Sequence, residues 1–160
     1  MVLRRKLSVL LMTLMVVMVA SPLFGAHEVL AAVFTGTAGN DTLIGTASND
    51  TLIGYEGDDY LDGRAGDDYL DAGVGVTDTI KGGRGNDRIY THEVFPFPEG
   101  GNYVDAGAGN DLIYAREETA SYDHIDCGGG FDRVETLHRE DVTLSNCERA
   151  LGPRRGEIPE

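Results

Sequence analysis

From residue 36 the sequence falls into units of nine: GTAGNDTLI, GTASNDTLI, GYEGDDYLD and GRAGDDYLD. Nine matches neither a helical turn nor a strand alternation, so each unit is a structural element in itself. Numbered 1 to 9, the units place Gly39, Ser48, Gly57 and Gly66 at position 4. Asn40, Asn49, Asp58 and Asp67 stand at position 5, Asp41, Asp50, Asp59 and Asp68 at position 6, and Leu43, Leu52, Leu61 and Leu70 at position 8.

The period continues with interruptions. AGVGVTDTIK (72–81) has one extra residue but keeps Asp78 and Ile80, and GGRGNDRIY (82–90) returns to register with Asp87 and Ile89. An insertion near 91–96 precedes FPEGGNYVD (97–105), where Asn102 takes the acid's place. AGAGNDLIY (106–114) carries Asp111, a second insertion covers 115–122, DHID (123–126) reads as the tail of a unit, and CGGGFDRVE (127–135) carries Asp132. Asp111 and Asp132 have no position-6 aspartate eighteen or nineteen residues away and so lack a clean neighbour one coil distant.

Positions 1 to 6 hold Gly, Asn and Asp, which tolerate left-handed backbone and tight turns. Positions 7 to 9 set one aliphatic residue between two variable ones, a three-residue strand with its central side chain inward. Two turns and two strands close a coil of eighteen residues. The expected fold is all-β, a parallel β-roll (β-solenoid) with the aliphatic residues stacked inside.

Stacking gives the acids a purpose. Asp41 lies one coil from Asp59 and Asp50 one coil from Asp68, with coils about 4.8 Å apart. Carboxylates that close repel unless a cation sits between them. Calcium accepts six to eight oxygens, backbone carbonyls included, whereas magnesium is stricter and holds its water. With 22 glycines, few aromatic residues and no tryptophan, the chain is poor material for a conventional core. The repeat region is therefore expected to be largely unfolded without calcium and to fold on binding several ions.

The first 31 residues read as an address. Arg4, Arg5 and Lys6 precede the apolar run LSVLLMTLMVVMVA (7–20) and small residues up to Ala31, the layout of a secretory signal peptide. The mature chain would then be secreted. The formal charge is −14, and −16 without the leader, because 10 basic and 26 acidic residues remain. Such a charge excludes nucleic acid and anionic membranes as natural partners, and no membrane insertion is expected. Cys127 and Cys147 are the only cysteines, and outside the cell two cysteines imply a disulfide.

The units resemble the RTX, or hemolysin-type, calcium-binding repeat family, whose nonapeptide is G-G-x-G-x-D-x-U-x. GGRGNDRIY matches it at every specified position, and the resemblance covers about 36–135. It implies a β-roll with each calcium held between turns one coil apart. The implied ligands are Asp41, Asp50, Asp59, Asp68, Asp78, Asp87, Asp111 and Asp132, with backbone carbonyls of Gly39, Gly57, Gly66, Gly75, Gly85 and Gly109. Thr37, Thr46, Tyr55 and Arg64 depart from the family at its second glycine. The leader sets the chain apart from the family's large toxins, which carry a C-terminal export signal; it is more similar to the small secreted members.

The expected organisation is a leader (1–31), a β-roll (32–135) and a C-terminal cap and tail (136–160). The expected function is that of a secreted, non-enzymatic calcium-binding module with a structural or surface-interaction role, its partner an extracellular polysaccharide or a cell-surface protein. The alternative is an extracellular enzyme or polysaccharide-binding module built on the same scaffold. His27, His92, His124 and His138 are scattered and suggest no catalytic set; EVFPFPEG (93–100) is a candidate docking loop; Tyr60, Tyr69 and Tyr103 fall at outward position 7.

Overall fold

The computed structural model describes residues 30–92, 100–115, 122–136 and 142–151. The leader, most of both insertions and nearly all of the 93–100 loop fall outside the described residues. Among those described, thirteen short strands and no helix are present: β1 (Val33–Thr35), β2 (Thr42–Ile44), β3 (Thr51–Ile53), β4 (Tyr60–Asp62), β5 (Tyr69–Val74), β6 (Thr79–Arg84), β7 (Arg88–His92), β8 (Tyr103–Ala108), β9 (Leu112–Ala115), β10 (Asp123–Asp126), β11 (Arg133–Thr136), β12 (Val142–Ser145) and β13 (Arg149–Leu151). No described helix is long and apolar enough to cross a membrane.

Odd-numbered strands form one seven-stranded sheet and even-numbered strands a six-stranded one. Every pairing is parallel. Each unit thus crosses to the opposite sheet, and two units complete a coil. The first coils step by eighteen residues, with Leu52 beside Phe34 and Leu70 beside Leu52. The extra residue in 72–81 makes the next step nineteen, Ile89 beside Leu70. Arg88 then pairs with Leu112, and Leu112 with Arg133. These longer coils place the added residues between strands, so the ladder resumes in phase.

The sheets run on past residue 135. β12 pairs with β10 and β13 with β11, so the segment expected to cap the roll also supplies a strand to each sheet.

Position 8 supplies the core. Leu52, Leu61, Leu70, Ile80, Ile89, Val104, Ile113, Ile125 and Val134 are buried, with Phe34 and Leu43 partly covered at one end and Val142 and Leu144 at the other. A three-residue strand has one inward place, so each coil contributes one large apolar side chain per sheet. Inward Ala72, Ala106 and Ala115 fill the remainder.

Cys127, fully buried, bonds Cys147, with Cα atoms 5.1 Å apart and a separation of 20 in sequence. The bridge joins the β10–β11 connection to the β12–β13 connection and ties down the final coil. Reducing it should cost roughly 3 kcal/mol by the chain-entropy relation. Hydrogen exchange should show the loss first in β12 and β13; uniform loss along the roll would contradict a local role.

Candidate metal centre

Two rows of turns flank the core. One row leads into the seven-stranded sheet and contains Asp50, Asp68, Asp87, Asp111 and Asp132. The other leads into the six-stranded sheet and contains Asp41, Asp59, Asp78, Asn102 and Asp123. All eight aspartates expected from the sequence therefore stand in these rows.

Within each row the position-6 side chains form a ladder. The backbone N–H of Asp50 donates to Oδ1 of Asp68 at 2.6 Å, that of Asp68 to Asp87 at 2.8 Å, that of Asp87 to Asp111 at 2.8 Å, and that of Asp111 to Asp132 at 2.8 Å. Opposite, Asp41 donates to Asp59, Asp59 to Asp78, Asp78 to Asn102, and Asn102 to Asp123. Asp111 and Asp132 are thus in step with their neighbours, because the insertions are absorbed before position 6. Asp123 is a rung that the truncated unit DHID concealed. Glu148 ends its row by accepting the N–H of Asp132 at 2.8 Å.

A second ladder runs the other way along the exposed side. Oδ1 of Asn49 accepts the N–H of Asp67, Oδ1 of Asp67 that of Asn86, Oδ1 of Asn86 that of Asn110, and Oδ1 of Asn110 that of Phe131. Asn40 and Asp58 do the same in the other row. The recurrence of Asn or Asp at position 5 was the sequence signal for this role. An open groove of about 590 Å³ follows the row into the seven-stranded sheet, lined among others by Asp50, Asp67, Asp68, Asn86, Asp87 and Asn110.

The inner ladder uses only one oxygen of each carboxylate. Oδ2 of Asp59, Asp68, Asp78, Asp87, Asp111 and Asp132 is buried without a hydrogen-bond partner, and these residues are at most 2% exposed. At Gly63 and Gly82 the Oδ2 of Asp68 and Asp87 lies 2.5 Å from where a Cβ would stand. Burial lifts the acids' pKa values, adjacent carboxylates add to the rise, and the N–H bonds oppose it. Asp78 and Asp87 are raised to about 7, Asp68 and Asp111 to about 6, and Asp59 and Asp132 in the same direction. A buried anionic oxygen without a donor is costly, and its natural complement is a proton or a cation.

The expected carbonyl ligands also stand in columns: Gly39, Gly57 and Gly75 in one row, Gly66, Gly85 and Gly109 in the other. A Cβ at Gly85 would strike the carbonyl of Gly66, and one at Gly109 that of Gly85. Their φ values of 126° and 150° lie in the left-handed half of the map, so glycine is required there on both counts. Among the described residues no three Asp, Glu, His or Cys side chains converge as a metal cluster. A cation between coils would therefore draw on at most two carboxylates and on backbone oxygens, a donor set that suits calcium.

Outside the turns, Tyr69, Tyr90 and Tyr114 pack in series on the outer face of the seven-stranded sheet, with centroids 5.1 and 4.6 Å apart. His92 stacks on Tyr90 and contacts Asp71 at 3.1 Å, which raises its pKa. His124 lies beside Tyr103 on the other sheet.

A parallel β-roll whose turns carry repeating acids defines a class of calcium-binding repeat proteins. The RTX calcium-binding nonapeptide repeat matches residues 35–70, 73–93 and 99–117, in four copies. Over these residues the chain carries the calcium-binding repeats of the RTX family. No curated protein and no solved structure gave a significant match.

Proposed function

We propose that the chain is a secreted structural module whose roll is completed by several calcium ions held between successive turns. Asp59, Asp68, Asp78, Asp87, Asp111 and Asp132 are the proposed side-chain ligands, with turn carbonyls, among them those of Gly57, Gly66, Gly75, Gly85 and Gly109, as further donors. The observation that carries this reading is the set of six buried carboxylate oxygens without partners. Bound calcium would supply the positive charge that these oxygens lack. Export through the N-terminal leader accords with the disulfide, and the affinities expected of an exported module are about 0.1 to 1 mM. The module would serve on a cell surface or in an extracellular matrix, in contact with polysaccharide or protein.

Isothermal titration of the mature chain (32–160) tests the metal. Calcium should bind at more than one site and with cooperativity, and magnesium at the same concentration should not replace it. Equal binding of the two ions, or none of either, would count against the reading.

A further inference from the structure

The position-6 acids fall into two classes. Six have a buried Oδ2 with no partner. In three others that oxygen is already satisfied, and a threonine hydroxyl takes part each time. Oδ2 of Asp41 accepts from the backbone N–H of Thr37 at 2.6 Å and from its hydroxyl at 2.9 Å. Oδ2 of Asp50 accepts from the N–H and hydroxyl of Thr46 at the same distances. Oδ2 of Asp123 accepts from the Thr91 hydroxyl at 3.1 Å, across 32 residues of sequence.

Backbone conformation separates the two classes in the intact units. Where the acid is open, position 2 is left-handed: Tyr55 at φ 79°, Arg64 at 72°, Gly73 at 88°, Gly83 at 109°, Gly107 at 100° and Gly128 at 79°. Tyr55 and Arg64 hold that conformation without being glycine, at a cost of order 1–3 kcal/mol each. Thr37 and Thr46 are not left-handed, as expected of a β-branched residue. Their N–H groups turn onto the carboxylate instead. Two donors on one oxygen do locally what a cation would do.

We propose that threonine stands in for calcium at Asp41, Asp50 and Asp123, so that the ions are confined to the open acids. This rests on the calcium reading above and adds which turns it applies to. Asn102 divides the row into the six-stranded sheet, because its buried Nδ2 presents an amide where a cation would need an oxygen. The unbroken run of open acids is therefore Asp68, Asp87, Asp111 and Asp132 in the other row, with Asp59 and Asp78 as a shorter pair opposite. The first coil closes without metal and offers the rest a preformed edge.

The test compares bound calcium per chain, by equilibrium dialysis, in the mature protein and in Asp50→Asn, Asp87→Asn and Thr46→Gly. Asn retains the Oδ1 acceptor of the ladder in both aspartate variants. Asp87→Asn should lose at least one ion and weaken the midpoint about tenfold, since ligand charge sets affinity. Asp50→Asn should keep the parent count and midpoint. Thr46→Gly, which removes the hydroxyl and frees φ, should bind at least one ion more than the parent. Equal losses in Asp50→Asn and Asp87→Asn would overturn the proposal, even if Thr46→Gly failed to fold. A parent chain that binds no calcium would instead overturn the calcium reading, and this proposal with it.

Discussion

Chelating calcium at neutral pH should remove most of the β signal of the mature chain, and restoring it should return that signal cooperatively. Six buried carboxylate oxygens lack donors. Each unsatisfied polar group costs about 1–3 kcal/mol, and more when charged. A domain of this size has only about 5–15 kcal/mol of net stability, so the six together are enough to decide the outcome. Conversely, each ion bound only by the folded state contributes ~1.4 kcal/mol at ten times its Kd. Far-UV circular dichroism with chelator, followed by titration with calcium, measures both directions. A chelated chain that melts within a few degrees of the loaded one would show that the acids do not govern the fold.

Acid should partly replace the metal. Burial raises Asp78 and Asp87 to about 7 and Asp68 and Asp111 to about 6, against about 3.9 in an unfolded chain. The folded state therefore binds protons more tightly than the unfolded one. Stability from these groups is fully present below about pH 4 and is lost as pH rises through 6 to 7. The chelated chain should gain β structure between pH 7.5 and about 4.5. Falling net charge acts in the same direction, so a second measurement is needed to isolate the buried acids. Calcium binding near pH 7 should displace their protons, and the binding heat should then vary with the ionisation enthalpy of the buffer. A chelated chain less ordered at pH 5 than at pH 7.5, or a heat independent of buffer, would contradict this assignment.

Much of this could be read from the sequence because a repeat states its own register. Position 8 gave the core from Leu52 to Val134, and position 6 gave eight of the inner rungs. What escaped notice depended on contacts that the nine-residue count does not carry. Asp123 lost its preceding turn residues to an insertion, and its partner Thr91 is 32 residues away. Asp111 and Asp132 looked isolated because sequence spacing counts inserted residues that the strands ignore. β12 and β13 lack the glycine-rich turn altogether, and only the apolar residues Val142 and Leu144 hinted at them. Thr37 and Thr46 read as departures from a consensus; their hydroxyls show a different way of closing the same turn. The outer ladder at position 5 needed the direction of each N–H, which composition does not give.

The insertions near 91–96 and 115–122, like the extra residue of 72–81, all fall on connections from the seven-stranded to the six-stranded sheet. The opposite connections keep their length through the same coils, down to Gly109–Asp111 between β8 and β9. One flank of the molecule is thus metrically fixed and the other is permissive. A foreign peptide spliced between His92 and Gly100 would leave the unbroken row of open acids on the opposite flank in register. The same splice between Arg84 and Arg88 would break the spacing on which every later rung depends. In that sense the protein is already laid out as a carrier, with its cargo edge and its keel on opposite sides.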